Sequence, residues 1–129
     1  MNLVDSSGWL EYFANGPNAG IFAPPIEDVE DLPVPTICLL EVFKRVLQQR
    51  GEDVALEAVA LMMQGRVLEL NTEIALNAAR LGHSLKMALA DAVVLATARK
   101  YEATVWTQDS DFEDTEGVRY VKKVKTGRA

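Results

Sequence analysis

Short apolar runs alternate along this chain with longer segments of helical period, and that alternation constrains the fold more than any other feature. Apolar or β-branched runs at 2–4, 32–36, 66–70, 103–107 and 118–121 read as strands. Between them, helical patterns are expected over 6–14, 19–23, 37–50, 53–64, 71–81 and 89–101. Pro24-Pro25 is expected to close the second of these and Gly82 the fifth, with 83–89 a loop. The 37–50 helix is read as amphipathic, with Leu39, Leu40, Phe43, Val46 and Leu47 on one broad apolar stripe. Pro33 and Pro35 limit ladder bonding, so the second strand is placed near a sheet edge. Strands alternating with helices imply an α/β domain: a mainly parallel sheet flanked by helices on both faces, joined by right-handed crossovers. A chain of 129 residues suits one such domain, 1–129, ending in a short basic tail over 122–129.

In open α/β sheets, ligands bind beyond the carboxyl ends of the strands. Asp5 follows the first strand, and Asp109 and Asp111 follow the strand ending at Thr107. Glu41 lies early in the helix after the second strand, and Asp91 near the start of the helix before the fourth. Separate segments can therefore bring carboxylates to one rim of the sheet. Gathered carboxylates repel each other and raise at least one pKa unless a cation neutralises them. All-oxygen donors select hard cations, Mg²⁺ or Mn²⁺. With one His and one Cys, the chain offers no ordinary zinc set. Such a site supports hydrolysis of a phosphodiester by cation-activated water.

The same inventory excludes rivals. His83 alone cannot supply an acid–base pair of histidines, and it sits in no nucleophile motif. No glycine-rich phosphate loop is present. A net charge of −6 argues against nucleic-acid binding by overall basicity, yet bound cations invert the local field. The lone Cys38 permits no internal disulfide and suits a reducing compartment. The N-terminus lacks the pattern of a signal peptide, and no apolar run approaches the roughly 20 residues of a membrane span. A cytoplasmic protein with no membrane partner is expected.

Four pieces of sequence carry a resemblance: Leu3-Val4-Asp5-Ser6-Ser7, Leu40-Glu41-Val42, Ala90-Asp91-Ala92-Val93-Val94-Leu95-Ala96-Thr97-Ala98, and Thr104-Val105-Trp106-Thr107-Gln108-Asp109-Ser110-Asp111-Phe112. In order and spacing they resemble PIN-domain nucleases, in particular the VapC-type toxins of toxin–antitoxin pairs. The resemblance covers nearly the whole chain. It implies Mg²⁺-dependent endoribonuclease activity on an RNA substrate, homodimerisation and a cognate VapB-type antitoxin. It assigns catalysis and metal binding to Asp5, Glu41, Asp91 and Asp109, with Asp111 a further acidic position. It also places the hydroxyls of Ser6 and Thr107 beside the site. None of the four acidic positions departs from the family pattern.

Plainer readings stand beside these. Asp5 can cap a helix, Asp109 and Asp111 can form turns, and Glu41 can pair with Lys44 and Arg45 at helical spacing. Cys38 reads as a small buried hydrophobe, and Trp9, Phe13, Trp106, Met62 and Met63 as core or dimer contacts. Lys122, Lys123, Lys125 and Arg128 read as a solvated tail. Two other functions also fit an acidic α/β rim. A receiver-type phosphoacceptor is disfavoured because Asp5 has no adjacent acid. A non-catalytic binding module would capture a basic peptide in an acidic groove.

Overall fold

The structure, a computed structural model, describes residues 1–125; Arg128 lies outside the described residues. The strands are β1 (Asn2–Val4), β2 (Pro33–Pro35), β3 (Arg66–Leu68), β4 (Thr104–Thr107) and β5 (Val118–Tyr120). The helices are α1 (Ser6–Phe13), α2 (Ala19–Glu27), α3 (Thr36–Arg50), α4 (Glu52–Met62), α5 (Thr72–Leu85) and α6 (Leu89–Lys100). Every strand pairing is parallel, in a β1–β4–β5 sheet and a β2–β3 pair. The fold is therefore α/β, as the alternation of strand and helix patterns predicts.

The prolines explain why the ladder breaks between β1 and β2. The Leu32 carbonyl accepts from the Arg66 N–H, so alternate residues of β2 turn their backbone groups toward β3. Pro33 and Pro35 turn the other way and have no N–H to offer β1.

Core side chains come from both sheets and from α1 to α4 and α6, among them Leu3, Val4, Trp9, Phe22, Val34, Val42, Met62 and Val105. On α6 the residues from Asp91 to Ala98 are all buried. Val94, Leu95 and Ala98 face the main core, while Ala92, Val93 and Ala96 pack with Ile74 and Ala78 of α5. A helix enclosed on both sides needs small side chains, and the alanines of this segment supply them.

Several local expectations are corrected. Pro24 and Pro25 lie inside α2, where Phe22, Pro25 and Ile26 are buried and their packing offsets the lost backbone bonds. Gly82 does not close α5, which continues past an exposed His83 to Leu85 and turns at Lys86 in the left-handed region (φ 54°). On α3 the buried face is Cys38, Val42 and Val46, while Leu40 and Leu47 are exposed. Apolar residues run nearly round that helix, so period alone does not fix its facing; packing against the core does. Met62 is buried in the core, while Met63 is exposed and is not a core contact. Gly8 is where α1 approaches its neighbours most closely: a Cβ there would lie 2.7 Å from atoms of both Phe22 and Val4. No helix among the described residues is long and apolar enough to cross a membrane.

Candidate active site

The β1–β4 register pairs Val4 with Trp106, so the next residues, Asp5 and Thr107, emerge side by side at the carboxyl ends of their strands. The Asp5 N–H donates to the Trp106 carbonyl (2.9 Å) and extends the ladder one step. The Thr107 hydroxyl then donates to Asp5 Oδ2 (2.9 Å). Ser7, in the first turn of α1, reaches the same oxygen through its hydroxyl (2.9 Å) and, at longer range, its N–H (3.4 Å). Asp5 is thus the N-cap of α1 as well, so the plain reading and the functional one coexist. The bonds from Thr107 and Ser7 all fall on Oδ2.

Protons are scarce in this cluster. The Ser7 and Thr107 hydroxyls also lie 3.0 Å apart, giving three contacts among Asp5, Ser7 and Thr107 but only two hydroxyl hydrogens. Burial raises the pKa of Asp5, and the hydrogen bonds from Thr107 and Ser7 oppose the rise.

Glu41 is carried on α3, and its Oε1 accepts from the Ser6 hydroxyl (2.7 Å). Lys44 and Arg45 form no ion pair with it; among the described residues, no carboxylate of this group lies within 4.0 Å of a cationic nitrogen. Burial raises the pKa of Glu41, the Ser6 bond lowers it, and the charges of Asp5 and Asp109 raise it further. Asp91 sits in the first turn of α6, where the helix dipole favours an anion. Even so, burial and the charges of Asp109, Asp5, Asp111 and Glu41 push it up to about 7. Asp109 caps a short 3₁₀ turn (Ser110–Phe112), its Oδ1 accepting from the Asp111 N–H (2.9 Å). Buried Phe112 anchors that turn in the core.

Asp5, Glu41, Asp91 and Asp109 line one cavity of about 440 Å³, together with Ser6, Lys44 and Arg45. Carboxylate oxygens of Asp91, Asp109 and Asp111 can lie within 4.8 Å of one another. Oxygen donors at that spacing, with no cationic partner within 4.0 Å among the described residues and with Asp91 raised by its acidic neighbours, fit a hard divalent cation. A second cavity of about 530 Å³ adjoins the first, sharing Ser7, Leu10 and Arg45 and continuing between α1, α3 and α4 over Phe13, Val46 and Leu61.

Three polar residues beside the site escape a reading by motif: Glu11, Asn18 and Gln108. Asn18 and Gln108 are buried. The only signal in the sequence is that Gln108 separates Thr107 from Asp109. Ser7 is also more central than Ser6, because it bonds both Asp5 and Thr107.

Parallel strands whose carboxyl ends carry a shared acidic cavity define an α/β protein with carboxylates that could hold a metal ion. The model of the PIN domain matches residues 3–118, and the chain belongs to that family. Solved structures sharing the fold include a toxin–antitoxin complex from Klebsiella pneumoniae, 21% identical over 92% of this chain and 96% of that one, with a TM-score of 0.75. Mycobacterium tuberculosis VapC20, described as a sarcin-ricin loop cleaving toxin, is 17% identical over 95% and 98%, with a TM-score of 0.75. DNA-bound VapBC from Salmonella typhimurium is 16% identical over 95% and 98%, with a TM-score of 0.70. At these identities the likeness is one of fold. No curated protein matches the chain by sequence.

Proposed function

We propose that the chain is a Mg²⁺- or Mn²⁺-dependent endoribonuclease, the VapC-type toxin of a toxin–antitoxin pair. One observation carries the reading: Asp5, Glu41, Asp91 and Asp109 line one cavity with no cationic partner within 4.0 Å among the described residues. Membership of the PIN-domain family and the shared fold of VapC20 and VapBC support it.

Asp5, Asp91 and Asp109 would hold the cation, Glu41 would complete the set or orient water, and Asp111 is an additional donor at the open side. A hard divalent cation held there supplies charge neutralisation and acidifies water for attack on phosphorus. Ser7 and Thr107 orient Asp5 through Oδ2, and Ser6 orients Glu41 through Oε1. Lys44 and Arg45, at the mouth and without an ion pair among the described residues, are placed to meet RNA phosphate. Attack by water with departure of the 3′-oxygen leaves a 5′-phosphate and a 3′-hydroxyl.

A cognate VapB-type antitoxin fits the adjoining cavity, whose apolar floor runs into the acidic one and favours a peptide ending in Arg or Lys. Exposed Leu40, Leu47 and Met63 are apolar surface for that partner or for the second copy of a homodimer.

The test is cleavage of a mixed RNA pool with Mg²⁺, Mn²⁺ or EDTA, comparing wild type with Asp5→Asn and Asp91→Asn. Cation-dependent cutting abolished by both substitutions is expected. Products ending in 2′,3′-cyclic phosphate would overturn the mechanism, and absence of cutting across varied RNA would overturn the function.

A further inference from the structure

We propose that Gln108 is a positioning residue for the acidic site, held in a closed carboxylate–amide ring with Glu11 and Asn18. This inference rests on the reading of the site as a cation centre. The ring is complete. Glu11 Oε2 accepts from the Asn18 N–H (2.7 Å), and Glu11 Oε1 accepts from Gln108 Nε2 (3.1 Å). Gln108 Oε1 in turn accepts from Asn18 Nδ2 (3.1 Å). Asn18 Nδ2 also donates to the Lys122 carbonyl (3.1 Å), so the chain after β5 joins the tie. Glu11 only accepts, which fixes the orientation of the Gln108 amide and, through it, that of Asn18.

The ring lies two hydrogen bonds from Asp5. The Gln108 N–H donates to Ser7 Oγ (3.1 Å), and the Ser7 hydroxyl donates to Asp5 Oδ2 (2.9 Å). On the other side, the Asp109 N–H donates to Thr107 Oγ1 (3.0 Å). β4 ends at Thr107, so strand pairing no longer holds the chain at 108 and 109. Side chains set the course of the backbone that delivers Asp109 and Asp111, and Gln108 ties that backbone to Ser7, Glu11 and Asn18. Buried amides are costly without partners, and here both are kept and paired beside the carboxylates.

The ring's polarity provides a test that separates positioning from packing. Gln108→Ala removes two bonds. Glu11→Gln sets an amide N–H against the Gln108 amide N–H. The double variant Glu11→Gln with Gln108→Glu reverses donor and acceptor and restores every bond: Asn18 N–H to Gln, Gln amide to Glu, Asn18 Nδ2 to Glu.

Three readouts are compared for the full chain: Mn²⁺ affinity by electron paramagnetic resonance without RNA, amide exchange at Asp109 without metal, and single-turnover cleavage. Each single substitution should weaken Mn²⁺ binding about 10-fold and speed exchange at Asp109. The double variant should return Mn²⁺ affinity to within about threefold of wild type. Wild-type affinity and exchange in Gln108→Ala, with only the melting temperature lowered, would overturn the proposal. So would a double variant no better than the singles. Mn²⁺ binding that needs Asp91 but is unaccompanied by RNA cleavage would sink the nuclease reading alone. A wild type that binds no Mn²⁺ would remove the cation centre. Exchange at Asp109 would then still decide whether Gln108 positions the loop.

Discussion

Two polar clusters meet at Ser7 and differ in how their carboxylates are paired. In the Glu11–Asn18–Gln108 ring, both oxygens of the single carboxylate accept hydrogen bonds, and the two amides are paired around it. In the neighbouring cavity, Asp5, Glu41, Asp91 and Asp109 share a few hydroxyl and amide donors and, among the described residues, no cationic side chain within 4.0 Å, and burial with mutual repulsion raises Asp91 to about 7. The ring spends its polar groups on each other. The cavity keeps its carboxylates at a cost in folding energy, the usual mark of a site built for a ligand rather than for stability.

Substitution of one carboxylate in each cluster should therefore have opposite effects on the metal-free fold. Asp91→Asn is expected to reduce cleavage about 100-fold or more. In EDTA the same substitution should stabilise the protein by about 1 kcal/mol, since a repelled charge is gone. Glu11→Ala should destabilise by a similar amount, about 1–3 kcal/mol, because it leaves buried donors unpaired. Urea unfolding in EDTA measures both. Destabilisation by Asp91→Asn would show that the cavity acids are as well paired as the ring.

The pH dependence should separate the clusters next. Asp91 has a folded pKa of about 7 against an ordinary 3.8, so between those values the folded chain holds a proton that the unfolded chain has released. Stability of the metal-free protein then falls as pH rises through that window. The raised values of Asp5 and Glu41 act in the same direction. A bound cation takes the place of the protons, so stabilisation by Mg²⁺ should grow across the same window. Thermal melts from about pH 5 to about pH 7.5, with EDTA and with Mg²⁺, should diverge. Parallel curves would mean that the cavity titrates independently of the cation.

Sequence reveals the cavity better than the ring for a physical reason. Asp5, Glu41, Asp91 and Asp109 follow recognisable strands or begin helices, so chain order and the strand-end rule bring them together. Glu11, Asn18 and Gln108 meet through long-range bonds that no local pattern encodes. The helices show the same division. The alanines around Asp91 announce a helix enclosed on both sides, which α6 is. The apolar residues of α3 nearly encircle it, and Leu40 and Leu47 prove exposed because tertiary contact, not period, selects Cys38, Val42 and Val46. At Pro24-Pro25 and Gly82, local signals for ending a helix yield to the packing of Ile26 and of the extended α5.

Within the cavity, a smaller effect is expected at Ser6, whose hydroxyl bonds one oxygen of Glu41. Ser6→Ala should weaken Mn²⁺ binding about 10-fold. That loss should stay below the loss caused by removing Glu41 itself. Equal losses in titrations of the two variants would mean that Glu41 acts only when Ser6 orients it.

The smallest effect on the site should come from the far end of α5. Asn71 caps that helix, its Oδ1 accepting from the Ile74 N–H (2.9 Å), and it does not line the cavity. Asn71→Ala should cost about 1 kcal/mol of stability and leave Mn²⁺ affinity unchanged. Yet α5 packs Ile74 and Ala78 against Ala92 and Val93, the residues that follow Asp91. A loosened α5 could therefore reach the site by one route, through the seating of α6. If Asn71→Ala weakens Mn²⁺ binding in proportion to the stability lost, Asp91 owes its position to the α5–α6 contact. If affinity holds while stability falls, the main core contacts of Val94, Leu95 and Ala98 suffice to place Asp91.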